Sequence, residues 1–124
     1  MTVTEERLVL QLPEERVVTE KAETFYEKLK GLRFRSSGKM FFDLGKVART
    51  MVDTVFVYDD LYLYFLDEDM TVVERKCLPP NRFYTPETGY RFLLESFEDL
   101  NLEEGDEVNV ELPGLSGFAV AQHG

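Results

Sequence analysis

Residues 59–70 read Asp59-Asp60-Leu61-Tyr62-Leu63-Tyr64-Phe65-Leu66-Asp67-Glu68-Asp69-Met70. This stretch decides the fold. Leu61, Leu63 and Phe65 alternate with Tyr62, Tyr64 and Leu66, so both faces of the segment are apolar or aromatic. A strand with two apolar faces reads as central in a sheet. The alternative is that its tyrosine face lines a cavity. Asp59-Asp60 before it and Asp67 to Met70 after it are turn-forming, so the chain reverses on both sides.

Outward from this strand the pattern repeats. Arg7 to Leu12 alternates, with Leu8, Leu10 and Leu12 on one face and Pro13 ending the run. Further strands are predicted to begin near Met40, Thr50, Thr71, Tyr90, Asp106 and Gly117. Val108, Val110 and Leu112 set against Glu107, Asn109 and Glu111 give the clearest alternation, and Pro113-Gly114 separates the last two strands. About eight short strands at a regular spacing predict a mainly β protein, α+β at the margin, built as a compact β-sandwich or barrel. One segment breaks the pattern. Ala22, Phe25, Tyr26 and Leu29 fall at i, i+3, i+4 and i+7, which predicts a short helix over residues 20–30. Thr19 would cap it, and Gly31 would end it with a positive φ. The stretch Leu78 to Gly89 holds Pro79, Pro80 and Pro86 and reads as the longest irregular segment.

The chain has 124 residues, 44% of them hydrophobic, which predicts one globular domain spanning 1–124. Fourteen basic against 24 acidic residues leave a net charge of −10. That balance argues against nucleic-acid binding and against docking on an anionic membrane, both of which need a cationic surface. One histidine and one cysteine exclude a multi-ligand zinc site within the chain, and no bound cofactor is expected. Asp59-Asp60 and Asp67/Asp69 read as turn residues rather than as calcium ligands. There is no phosphate-binding glycine loop and no nucleophile elbow. The N-terminal residues carry neither a basic region nor an apolar run of signal-peptide length, so the expected location is cytoplasmic; a processed exported form would read the same. Cys77 follows Arg75 and Lys76. It is either a thiol activated by those cations or a small buried strand-end side chain.

The order of several motifs resembles the family known as domain of unknown function 192. Phe25 to Arg35 resembles its opening, where a helix leads into Gly-Leu-Met-x-Arg. Gly38, Met40, Phe41 and Phe42 are similar to its Gly-Met-Leu-Phe strand, and Met51-Val52-Asp53-Thr54 to its Met-Lys-Asn-Thr motif. Phe65-Leu66-Asp67, Leu93-Leu94-Glu95 and Glu104-Gly105-Asp106 resemble its later motifs. The resemblance covers about residues 20–112. Arg33 replaces the family's methionine, Val52-Asp53 its Lys-Asn pair, and Met70 a turn glycine. The resemblance implies a jelly-roll-type β domain with one short helix and no established reaction.

Candidate site residues come from the basic and aromatic positions. Lys28 to Phe42 holds five cations and no acid. Arg33 and Arg35, two apart on an extended chain, would point to one side and could grip an anion with paired donors. They could instead balance the acidic segments. Arg35 and Asp53-Thr54 belong to the resembled motifs and are expected to meet in space. Arg33, Tyr58 and Arg82 complete the set. The leading expectation is a non-catalytic binding or accessory module for a small polar or anionic ligand. The alternatives are a carboxylate/arginine-based enzyme and a protein-interaction module using the basic 28–39 strip. Strongly raised carboxylate pKa values in a pocket would favour the enzyme, and a flat exposed apolar patch the interaction module.

Overall fold

A computed structural model of the chain describes residues 7–22 and 31–111. They form nine strands: β1 (Arg7–Gln11), β2 (Arg16–Ala22), β3 (Lys39–Ala48), β4 (Val52–Asp53), β5 (Leu61–Leu66), β6 (Val72–Leu78), β7 (Phe83–Tyr84), β8 (Tyr90–Ser96) and β9 (Asn109–Glu111). Seven of these make one sheet in the order β6-β5-β8-β3-β2-β1-β9, and β4 pairs with β7 separately. The mainly β class is as expected, and β5 is an inner strand between β6 and β8. All pairings are antiparallel except β2 with β3.

The sheet curls but does not close into a barrel. Its two edge strands, β6 and β9, meet only at one corner, through the Thr71–Glu107 bridge. Beside it Val72 N–H donates to Asp106 O at 2.8 Å and Val108 N–H to Met70 O at 2.9 Å. Met70 turns the chain into β6 with φ +64°, a conformation that favours glycine, at the position where the resembled family carries one.

Strand alternation divides the core in two. Leu8, Leu10, Phe41, Tyr64, Leu66 and Leu94 fill one face of the sheet. Phe42, Leu61, Leu63, Phe65, Leu78 and Leu93 fill the other, where Leu32 and Val57 pack against them. Tyr64 is fully buried in the first core, and its hydroxyl donates to Asp99 Oδ1 at 2.9 Å and accepts from Leu100 N–H at 2.8 Å. The tyrosine face of β5 therefore packs core rather than lining a cavity.

The helix prediction needs correction. Thr19, the expected cap, is a buried residue within β2, and residues 20–22 continue that strand, with Glu20, Lys21 and Ala22 pairing to Met40, Phe41 and Phe42. β-branched Val17, Val18 and Thr19 favour the pleated surface, and pairing on both sides by β1 and β3 overrides the helical spacing that starts at Ala22. The rest of the predicted helix, 23–30, lies outside the described residues, as do Pro113-Gly114 and the strand expected near Gly117. Gly31 has φ +53°. An added Cβ there would meet Phe42 Cζ at 3.5 Å and Glu95 Oε1 at 3.7 Å, ordinary contacts. Gly31→Ala is therefore expected to destabilise by about 1 kcal/mol through the backbone alone; a neutral result in urea denaturation would show that residue 31 tolerates a side chain in that conformation.

Candidate functional site

The second core opens into a cavity of about 200 Å³. Leu32, Phe42, Leu44, Val57 and Leu93 give it apolar walls, and Arg33, Asp53 and Glu95 are its charged groups among the described residues. Three pieces of chain bring these together. The turn after the β2–β3 crossover begins carries Leu32 and Arg33, β4 carries Asp53, and β8 carries Glu95.

Arg33 and Asp53 form a two-pronged pair. Arg33 Nη1 donates to Asp53 Oδ1 at 2.6 Å and Nη2 to Oδ2 at 2.9 Å. Nη1 also donates to Val55 O at 2.6 Å, while Val55 N–H donates to Asp53 Oδ1 at 3.0 Å. Planar guanidinium and carboxylate match in this geometry, and both side chains are only 23% exposed. The Arg33 fork holds the Asp53 carboxyl below its usual range, and Asp53 in turn raises the Arg33 pKa.

Glu95 is the opposite case. It stands on β8 between Met40 of β3 and Leu63 of β5, 7% exposed. Burial pushes its carboxyl up to about 8; the Arg33 guanidinium opposes that rise and the Asp53 carboxylate adds to it. Two carboxyl groups at one cavity are thus driven in opposite directions. Glu95 was not among the residues singled out from the sequence. The signal was present: in Leu93-Leu94-Glu95 the glutamate falls two residues after Leu93, on the same inward face of a strand.

The expected meeting of Arg35 with Asp53-Thr54 does not occur. The 33–35 segment does run beside 54–58, with Phe34 N–H donating to Phe56 O and Tyr58 N–H to Arg35 O. But Phe34 has φ +63°, so the backbone is not extended there and the two arginines diverge. Arg33 takes Asp53, while Arg35 turns to Glu20, with Nη2–Oε2 at 2.7 Å and Nη1–Oε1 at 3.1 Å. Arg35 lies over Gly38, where any Cβ would collide with its guanidinium. Arg35 is not part of the cavity lining, and neither are Tyr58 and Arg82. Arg82 Nη1 reaches only the Pro80 and Asn81 carbonyls, both at 3.4 Å. Lys39 pairs with Glu98 at 3.1 Å, so the three described cations of the basic strip each face a carboxylate.

Thr54 braces the site from behind. It is fully buried; its hydroxyl donates to Pro79 O at 2.6 Å and accepts from Arg82 N–H at 2.9 Å. This ties β4 to the proline-rich 79–82 segment. Thr54→Val should cost about 1–2 kcal/mol, because two buried backbone groups lose their partner. An unchanged urea midpoint would show that the loop rearranges to pair them elsewhere.

Beside the cavity, Phe34 and Phe56 are both about half exposed and stack with ring centroids 5.3 Å apart; Tyr58 meets Phe34 edge-on at 6.3 Å. Phe56, like Phe34, has a positive φ, +62°. Cys77 fits neither of its two readings. It is exposed, and partial burial followed by the Asp60 carboxylate raises its thiol pKa rather than lowering it. Asp67 acts as a turn residue, its Oδ1 accepting from Asp69 N–H at 2.8 Å and Thr71 N–H at 3.0 Å. Among the described residues no helix is long and apolar enough to cross a membrane.

No family model matches the chain. It is similar to a UPF0127 protein of Thermococcus sibiricus, 29% identical over 99 residues, which span 73% of this chain and 64% of that relative. Two solved structures share the fold. A candidate transcription regulator from Sinorhizobium meliloti 1021 superposes with a TM-score of 0.79 at 18% identity, covering 89% of this chain and 98% of the other. A protein of unknown function from Novosphingobium aromaticivorans gives a TM-score of 0.69 at 21% identity, covering 83% of each chain. The chain is therefore similar to proteins of an uncharacterised conserved family, and the solved structures support its fold alone.

Proposed function

We propose that this chain is a binding module for a small ligand, seated in the cavity between Leu32-Arg33, β4 and the face of β3 and β8 that carries the second core. One observation carries the reading: a mostly apolar cavity of about 200 Å³ in which a paired Arg33–Asp53 and an enclosed Glu95 converge. Small-molecule sites have this composition, with apolar walls and a few placed polar groups. Of the residues expected from the sequence, Arg33 and Asp53 belong to this site and Thr54 supports it. We also place the chain in the domain of unknown function 192 family, on the order of its motifs over residues 20–112 and on its similarity to the UPF0127 protein.

The test is a methyl-NMR screen of water-soluble fragments. Saturable shifts confined to the Leu32, Val57 and Leu93 methyls support the reading. Shifts only around Phe34, Phe56 and Tyr58 overturn it in favour of a surface that meets another macromolecule.

A second reading, acid–base catalysis, is favoured by one observation: Glu95 is held protonated at the cavity where Asp53 is held ionised. It requires that a bound metabolite be converted, with new NMR signals that Glu95→Gln abolishes. A bound metabolite that stays unchanged decides for the binding module. Of the basic 28–39 strip behind the interaction alternative, the described residues Arg33, Arg35 and Lys39 face Asp53, Glu20 and Glu98, which favours the cavity over that strip.

A further inference from the structure

We infer that the ligand of this cavity is a small alkylammonium, its charged nitrogen meeting Glu95 and its alkyl chain packing on Leu32, Phe42 and Leu93. This rests on the reading of the cavity as a ligand site and names the chemistry that site selects.

Charge decides which ligand this partly open cavity takes. Among the described residues, Arg33, Asp53 and Glu95 are the charged side chains lining the cavity. The other titratable group facing Glu95 is Tyr90, whose hydroxyl donates to Thr50 O at 2.8 Å and whose pKa is raised by burial and by Glu95 itself. Arg33 and Asp53 cancel each other across two hydrogen bonds, and a third bond ties Arg33 to Val55 O. Counted over the described residues, the cavity lining is therefore neutral when Glu95 is protonated and singly negative when it is ionised.

Each class of ligand meets that charge differently. An anion would enter a neutral or negative space and would have to strip Asp53 from the Arg33 fork. A neutral amide could bond to the Glu95 carboxylic acid but would leave its ionisation as costly as before. An ammonium brings the counter-charge that burial withholds from Glu95, and a paired charge is far cheaper to enclose than a lone one. The volume sets the size. A cavity of about 200 Å³ lies below the usual range of drug-sized ligand sites, which favours a small ligand such as an amine with a short apolar chain.

The binding step conserves charge and atoms. The alkylammonium enters already protonated, Glu95 gives its proton to solvent, and the ammonium–carboxylate pair remains. Affinity must then rise as pH rises towards the Glu95 pKa, by about tenfold per pH unit.

The experiment compares butylammonium, butyramide and butyrate, three ligands of one size and three charges, by calorimetric titration of the full chain at pH 7. Butylammonium is then titrated at pH 5.5, 6.5 and 7.5. The expected result is that butylammonium binds most tightly, that its affinity climbs about tenfold per pH unit, and that Glu95→Gln weakens it at least tenfold. If butyramide or butyrate binds as well as butylammonium, or if butylammonium affinity does not change with pH, the cationic assignment is overturned while the cavity remains a ligand site. If none of the three binds, the ligand-site reading falls with it. Should Glu95→Gln fail to fold, the pH series on the unaltered protein decides alone.

Discussion

Replacing Glu95 by Gln is expected to stabilise the protein progressively as pH rises, its advantage over the unaltered chain growing by about 3–4 kcal/mol between pH 5 and pH 8. The cause is the enclosed position of Glu95, 7% exposed on β8 between Met40 and Leu63, where burial raises its carboxyl to about 8. In the unfolded chain the same carboxyl titrates near its ordinary value of 4.5. Below that value both states hold the proton and the burial costs nothing through ionisation. As pH rises through 5, 6 and 7 the unfolded chain gives up the proton while the folded chain keeps it, so unfolding becomes easier. The loss levels off once the folded carboxyl also ionises, around pH 8. Each unit of difference between the two states is worth about 1.4 kcal/mol. Glutamine keeps the shape and cannot ionise, so the difference between the two proteins isolates this one group from the many other carboxylates. Urea denaturation of both proteins at pH 5, 6.5 and 8 measures it. A difference that does not change with pH would mean that Glu95 is ionised throughout in the folded state, and the charge count at the cavity would be wrong.

The sequence carries the sheet more plainly than the site, and particular residues say why. In Leu61 to Leu66 both faces are apolar or aromatic and five of the six residues are buried, so β5 and its central position could be read directly. Arg7 to Gln11 shows its burial instead through a period of two. β2 was hidden because Ala22 is shared by two patterns. It ends a strand whose neighbours are supplied by β1 and β3, yet it also opens an apparent helical stripe with Phe25, Tyr26 and Leu29. Only the tertiary pairing decides between them. β7 is two residues long inside a proline-rich segment, too short to have a period at all. The site depended on backbone angles that composition does not announce. Pointing Arg33 and Arg35 to one side assumes an extended Phe34, and a left-handed phenylalanine is uncommon enough that no rule anticipates it. Arg33, at a position where the resembled family has methionine, thereby takes the partner expected for Arg35. Glu95 was masked by its own family motif: as one acid among 24 it looked like surface charge, and only its phase relative to Leu93 marks it as inward.

Arg33→Met is expected to destabilise the protein by about 2–3 kcal/mol at pH 7, and Arg35→Met by no more than about 1 kcal/mol. Both arginines make two-pronged pairs, so geometry alone does not separate them. Burial and surroundings do. The Arg33 and Asp53 side chains are each 23% exposed, and Asp53 shares the cavity with Glu95. Without Arg33, Asp53 keeps, among the described residues, the Val55 N–H of its own turn and faces an apolar wall. It must then be buried unpaired or take up a proton. The Arg35 side chain is 33% exposed and Glu20 22%, but Glu20 lines a surface recess with Arg7 and Lys39, whose positive charges remain beside it once Arg35 is gone. The pH profiles should differ in the same way. Asp53 has its pKa lowered by the Arg33 fork, so its contribution is present above its unfolded value and fades as pH falls below it. Arg33→Met should remove that acid-side loss, flattening stability as pH falls below the unfolded aspartate value, whereas Arg35→Met should leave it in place. Loss of Arg33 also removes the positive charge that opposes the rise at Glu95, so Glu95 should hold its proton to still higher pH in the variant. Denaturation of the two variants and the parent across pH 2–8 reads all of this. If Arg33→Met proves no more costly than Arg35→Met, the Arg33–Asp53 pair is solvated like any surface bridge, and the charge balance behind the proposed cationic ligand fails.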